Sequence, residues 1–217
     1  MTGTITTPRI GGLGRLDRVV ALAGAGSVVA TFAAVSVGDM GGKGLNPDMS
    51  PDVLLQGLRE QVDALRTAAS LFTVAAVLMA VFLGSLWARL SRASAALAVI
   101  GVAGGVLAAV QSLSLALDGI GLASAADLGN GVAAQVLLTT GWDSARVGAA
   151  PLLVMVLAAA IAGFRFGLFP VWFRWVSLAF LVPLVVALAP VGPAGVMGFV
   201  GGLWVVTASL LFAFERP

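Results

Sequence analysis

The sequence predicts an all-α integral membrane protein, a bundle of six transmembrane helices with its N-terminus and C-terminus in the cytoplasm. Of the 217 residues, 59% are hydrophobic and only 10% are charged, a balance that is unusual for a soluble domain. Charged residues flank several apolar stretches. Most of these stretches are close to the length of about 20 residues that crosses a bilayer core. Arginines collect at alternate ends of these stretches, which is the pattern of a multi-pass protein.

The spans follow the uncharged stretches in chain order. A cytoplasmic tail over residues 1–18 leads into the first span, at 19–38, and one six-span membrane domain covers 19–217. That first stretch lacks a clear small-residue cleavage site and is long for a secretory signal, so we expect an uncleaved span. Because Pro190 and Pro193 cannot continue a helix, the 40-residue stretch from Trp175 to Phe214 divides in two. The other five spans are predicted at about 67–88, 93–117, 147–164, 173–190 and 194–214.

The basic residues predict the orientation in the plasma (inner) membrane. With the N-terminus inside, the cytoplasmic segments carry eight arginines and two acids, whereas the outer segments carry four basic and eight acidic residues. Basic residues favour the cytoplasmic side of a membrane. The lipid bilayer is therefore the first partner that the sequence predicts.

Two long outer loops are predicted, at 39–66 and 118–146. In the first, Ser50, Pro51 and Asp52 form a helix start, with a hydroxyl, an N-terminal proline and an acid near the positive helix end. A continuous helix from Pro51 to Ala88 would be about 57 Å long, so we expect it to project outside or to bend onto the surface. The uncharged stretch between Asp127 and Asp143 is predicted to be a loop or an interfacial helix.

Composition excludes several kinds of chemistry. The chain has no His, Cys or Tyr, which removes disulfides, thiolate catalysis and the usual zinc and haem ligands. We expect no metal and no cofactor. A net charge of +2 gives no reason to expect nucleic-acid binding.

Polar residues near the outer end of the third span are the candidate site. They are Gln111, Ser114, Asp118, Trp142, Asp143 and Arg146. Because polar groups at membrane depth are costly and tend to face the bundle interior, these side chains are predicted to line a mouth that opens outward. The alternative is a local ion pair between Asp143 and Arg146, with Trp142 as an interface anchor. Trp204, in the sixth span, would either stack on a ligand or fill the core.

Three stretches resemble a family of small bacterial six-helix membrane proteins whose domain has no known function. They are Arg59 to Leu90 (REQVDALRTAASLFTVAAVLMAVFLGSLWARL), Val136 to Ala150 (VLLTTGWDSARVGAA) and Phe166 to Phe180 (FGLFPVWFRWVSLAF). The resemblance implies six spans and no particular activity.

Three functions remain open. The first is non-catalytic binding of a small apolar or amphipathic ligand, or of a membrane partner subunit, at the outer face. The second is transport, since six spans and a long first outer loop resemble the substrate-binding subunits of vitamin importers. The third is an enzyme that resembles small membrane terpene cyclases, with Asp118 and Asp143 as catalytic acids. Whether the protein is an enzyme is therefore uncertain from the sequence.

Overall fold

The computed structural model describes residues 15–38, 45–46, 48–188 and 194–214. Within these ranges every regular element is an α-helix, as the sequence predicts, and there is no strand. The eight helices are α1 (Arg15–Gly38), α2 (Pro51–Arg59), α3 (Val62–Ala93), α4 (Ala95–Asp127), α5 (Gly131–Val147), α6 (Ala149–Phe166), α7 (Val171–Ala187) and α8 (Ala194–Phe214).

Four of these helices, α1, α3, α4 and α6, are long and apolar enough to cross a membrane. Two shorter apolar helices, Val171–Val186 and Phe199–Phe214, occupy the places of the fifth and sixth predicted spans. Four helices therefore support the membrane character of the chain. The number of six spans and the orientation in the membrane remain predictions. The predicted break at Pro190 to Pro193 lies outside the described residues.

Six helices form the region that we call the bundle: α1, the C-terminal part of α3, the N-terminal part of α4, α6, α7 and α8. Its core contains large buried side chains, among them Phe82, Met155 and Trp204. Helices α4 and α6 approach very closely at Gly104, where an added Cβ would lie 2.7 Å from the Pro151 carbonyl oxygen. Glycine permits this backbone contact, as small residues commonly do between membrane helices.

One end of the bundle, the arginine end, carries Arg15, Arg18, Arg89, Arg92, Arg165 and Arg174. Here the rings of Phe82 and Phe169 stack on Phe212 with centroid separations of 5.9 and 5.8 Å. Arg89 donates from Nη2 to the Phe212 carbonyl oxygen at 2.7 Å, and its Cζ lies 4.4 Å from the centre of the Phe212 ring. These contacts join the C-terminal ends of α3 and α8.

The region that we call the cap lies at the opposite end and consists of α2, α5, the N-terminal part of α3 and the C-terminal part of α4. Its core is a separate cluster built around leucines and alanines: Leu54, Leu58, Leu65, Leu122, Ala123, Ala125, Ala126, Ala134 and Leu138. Leu54 and Leu58 of α2 therefore pack against α4 and α5.

The helix that begins at Pro51 is not continuous to Ala88: of the two predicted outcomes, projection and bending, the chain bends between α2 and α3. Helix α2 begins at Pro51 as predicted but ends at Arg59, and the Gln61 N–H donates to the Leu58 carbonyl oxygen at 2.9 Å. The turn folds α2 back so that Leu54 and Leu58 are fully buried. Burial of this apolar face is the physical reason for the break.

The second predicted outer loop, 118–146, is almost entirely helical. Helix α4 continues ten residues beyond the predicted span end at Leu117 and reaches Asp127; its 33 residues extend about 50 Å. Gly129 then adopts a left-handed φ of 67°, and the Asn130 N–H donates to the Ala125 carbonyl oxygen at 2.9 Å. This turn satisfies the carbonyls at the end of α4 and starts α5.

Candidate functional site

A cavity of about 290 Å³ lies inside the bundle, between α1, α3, α4, α6 and α8. Its volume is near the lower limit of small-molecule sites. The lining described by the structure is mainly apolar and contains no charged side chain. The apolar part includes Val28, Phe32, Val35, Phe72, Met79, Leu115, Leu152, Phe199 and Val205, and the polar part is Ser27, Thr31, Gln111 and Ser112.

The three hydroxyl groups of the cavity donate to backbone carbonyl oxygens. Ser27 Oγ donates to Ala75 on α3 at 2.8 Å, and Thr31 Oγ1 donates to Ser27 at 3.0 Å. Ser112 Oγ donates to Ala108 at 3.3 Å. Such bonds satisfy hydroxyl donors inside helices, and each oxygen keeps lone pairs that can accept a hydrogen bond. These groups therefore present acceptors to the cavity.

Gln111 is the predicted site residue that lines this cavity. Its Nε2 donates to the Ser144 carbonyl oxygen of α5 at 3.0 Å, and the side chain is partly buried. A primary amide carries a second N–H and a carbonyl oxygen, and among the described residues neither is hydrogen-bonded. Gln111 can therefore both donate to and accept from a ligand.

Of the other predicted residues of α4, Asp118 lies at the contact with α5. Ser114 and Asp118 follow Gln111 on α4 at intervals of three and four residues, which places them on one face. Asp118 faces Gly141 of α5, where an added Cβ would lie 3.5 Å from Oδ2. That oxygen is buried and has no hydrogen-bond partner in the described part of the chain. Neither Ser114 nor Asp118 is among the cavity-lining residues that the structure describes.

Of the predicted mouth residues on α5, Trp142 is the one whose side chain the structure describes. Trp142 is 43% exposed and is absent from the described lining of the cavity. Asp143 and Arg146 belong to α5 by their backbone, and their side chains lie outside the described part of the structure. Of the predicted mouth, the described contacts therefore place Gln111 at the cavity and Asp118 beside Gly141 of α5.

Trp204 packs in the bundle core. Its side chain is fully buried, its indole Nε1–H donates to Ser177 Oγ at 3.0 Å, and its ring lies 5.9 Å from that of Phe173. A buried tryptophan whose N–H is satisfied contributes mainly through packing. Its sequence neighbour Val205 lines the cavity, and Trp204 itself does not.

No carboxylate is among the described residues that line the cavity. Among the residues that the structure describes, no group of three Asp or Glu side chains could hold a metal ion. A second depression, of about 610 Å³, lies on the cap and is lined by Asp52, Leu55, Gln56, Arg59, Glu60 and Gly129. Its charges have both signs, so this depression favours neither an anion nor a cation.

Sequence reasoning missed most of the cavity wall. Ser27 and Thr31 were detectable as hydroxyls four residues apart within an apolar span, a spacing that places both on one helix face. Phe32, Phe72 and Phe199 gave no such signal, because they come from three different helices and meet only in the folded bundle.

Comparison with families of known proteins, with curated proteins and with solved structures finds no match. The resemblance to small bacterial six-helix membrane proteins therefore stays a prediction, and the geometry of the cavity carries the argument about function.

Proposed function

We propose that this protein is a non-catalytic, multi-pass protein of the plasma membrane that binds a small neutral, apolar or amphipathic molecule within its helical bundle. In this proposal six helices cross the bilayer, the arginine end faces the cytoplasm and the cap lies outside. The observation that carries the proposal is the cavity, whose described lining has apolar walls, few polar groups and no charged side chain. Ligand sites commonly combine these features.

The cavity chemistry supports a neutral ligand. A bare charge transferred into an apolar site requires a countercharge or a dense set of hydrogen bonds, and the described lining contains only hydroxyls and one amide. Apolar walls favour an aliphatic or ring hydrocarbon body. One hydroxyl or carbonyl group on that body would find its partner at Gln111.

Gln111 would orient the ligand. Because its amide is already held by the Ser144 carbonyl oxygen, the side chain is fixed before a ligand arrives, and pre-organised polar groups lose less entropy on binding. Replacing Gln111 with leucine should weaken binding of an aliphatic alcohol by about fivefold, the equivalent of one ordinary hydrogen bond, and leave binding of the matching alkane unchanged.

Photoaffinity labelling tests the proposal. The purified full-length protein, in phospholipid nanodiscs, is irradiated with a long-chain aliphatic alcohol that carries a diazirine, and the labelled peptides are mapped by mass spectrometry. We expect adducts on segments that contain Thr31 and Met79. Unlabelled alcohol should compete with the probe.

A matched pair of substitutions on α4 provides the control. Ala108 lines the cavity, whereas Ala103 is exposed on the outside of the same helix. Ala108→Phe should fill the cavity and abolish labelling there, and Ala103→Phe should leave it unchanged. Equal labelling of both variants, or adducts spread evenly over the bundle surface, would contradict a cavity site.

Cysteine labelling tests the proposed orientation, since the chain has no native cysteine. Asp48→Cys places a thiol at the cap, and Arg92→Cys places one at the arginine end. In intact cells a membrane-impermeant maleimide should modify the first and should modify the second only after lysis. The reverse result would invert the topology without affecting the cavity.

A further inference from the structure

Two phenylalanines lie at one side of the cavity. Phe32 of α1 and Phe199 of α8 both line it, and their rings meet edge to face with a centroid separation of 5.7 Å and an interplanar angle of 72°. Their side chains are nevertheless 38% and 50% exposed. Each ring therefore has one part toward the cavity and another toward the outside of the bundle.

The exposed part of the lining is concentrated on this side. Among the described lining residues, only Phe32, Val35 and Phe199 are classed as exposed, and the others are buried or partly buried. All three belong to α1 or α8. The thinnest described wall of the cavity is therefore the contact between these two helices.

The surface around the phenylalanine pair is apolar. Val29 of α1 is 66% exposed and Leu203 of α8 is 41% exposed. No charged residue occurs between Val19 and Gly38 of α1 or between Phe199 and Phe214 of α8. A contiguous uncharged surface of this kind on a membrane helix is suited to lipid chains rather than to water.

We propose that the ligand enters and leaves the cavity sideways, from the lipid phase between α1 and α8, and that the Phe32–Phe199 pair is the gate. This inference rests on the proposed ligand-binding function and adds the route and the source of the ligand. Rotation of the two exposed aromatic side chains would widen the opening on this side of the cavity. The ligand is accordingly a molecule that dissolves in the bilayer.

A reversible cross-link tests the gate. In the cysteine-free background, Phe32→Cys with Phe199→Cys places two thiols across the opening, and a short bifunctional methanethiosulfonate joins them. The full-length protein in liposomes receives the diazirine alcohol through the lipid phase. We expect the cross-link to abolish labelling of the cavity segments and a reductant to restore it. Each single-cysteine variant, treated with the same reagent, should label as it does before treatment.

An opening variant gives the opposite effect. Phe199→Ala should be labelled several times faster than the unmodified protein, because half of the gate is absent. Leu203→Ala is the matched control, since Leu203 is exposed on the same helix but is not among the described lining residues; it should leave the rate unchanged.

The outcomes separate the gate from the proposed function. Undiminished cavity labelling in a protein whose cross-link is verified by mass spectrometry would overturn the gate and leave ligand binding intact, as would an unchanged rate in Phe199→Ala. Absence of competable cavity labelling in the unmodified protein and in every variant would overturn the binding function itself.

Discussion

The bundle and the cap differ in what fills their cores. The bundle core contains Trp204 and several phenylalanines, and its rings contact one another across different helices. The described core of the cap consists of leucines and alanines. The turn between α4 and α5, the Asn130 side chain that caps α5 and the Arg66–Asp127 ion pair add further contacts to this region. Aromatic rings thus fill part of the core in the region that holds the cavity, whereas the described core of the cap is aliphatic. Substitutions can test this division.

The largest effect is expected in the bundle. Trp204→Ala removes a fully buried ring and leaves the Ser177 hydroxyl without its donor, so it should lower the free energy of unfolding by about 3–5 kcal/mol. The measurement is thermal unfolding in detergent. Trp175→Ala, at a 59% exposed position, should have little effect. Equal losses at both positions would mean that burial does not govern stability in the bundle.

A smaller and local effect is expected where α2 meets α5. At Gly131 an added Cβ would lie 2.7 Å from both the carbonyl oxygen and the Cβ of Pro51, and backbone cannot yield as a flexible side chain does. Gly131→Ala should destabilise the cap by about 1–3 kcal/mol and increase hydrogen exchange in α2 but not in α6. At Gly141 an added Cβ would have ordinary contact distances of 3.5 Å or more, so Gly141→Ala should neither destabilise the cap nor increase hydrogen exchange in α2. If exchange in α6 rose equally, the cap and the bundle would unfold as one unit.

The helix cap of α5 should contribute less. Asn130 Oδ1 accepts from the Ala133 N–H at 3.0 Å, and loss of an N-cap acceptor typically costs about 1 kcal/mol. Asn130→Ala should therefore increase hydrogen exchange in the first turn of α5. Asn130→Asp keeps the acceptor and should preserve protection. If both variants behaved alike, the side-chain bond would have no role.

The ion pair should contribute least. Arg66 Nη2 lies 2.6 Å from Asp127 Oδ2, with both side chains about half exposed, and an exposed pair of this kind contributes at most about 1 kcal/mol. Asp127→Asn should lower cap stability at low ionic strength, and the difference should vanish in high salt. Asp63→Asn, at 3.9 Å from Arg66 and fully exposed, should be neutral. A salt-independent loss in Asp127→Asn would point to packing instead of charge.

Helix positions were predictable where a local signal was present. The start of α2 at Pro51 was predictable from Ser50, Pro51 and Asp52, although the Ser50 side chain makes no capping hydrogen bond. The apolar stretches predicted α1, α3, α4 and α6. The turn at Glu60 and Gln61 had no such signal, because neither glycine nor proline marks it. It follows from burial of Leu54 and Leu58 against α4 and α5, a contact between distant parts of the chain.

The site was predictable only in its most polar member. Gln111 was predictable because it is an amide within a predicted span, and its side chain lines the cavity. Local sequence could not show that Phe32 would meet Phe199, since 167 positions separate them. Asp118 was also predicted from its polarity, but in the structure its carboxylate lies beside Gly141, at the contact between α4 and α5.

The continuity of α3 and α4 has a consequence for limited proteolysis. Each of these two helices runs without interruption from the bundle into the cap, so along α3 and along α4 no loop separates the two regions. After a cut within α2 or α5, the two fragments would still pack against each other through α3 and α4, because α1 packs on α3 and α6 packs on α4. Digestion should therefore produce a nicked protein that migrates as a single particle until detergent denaturation releases its fragments.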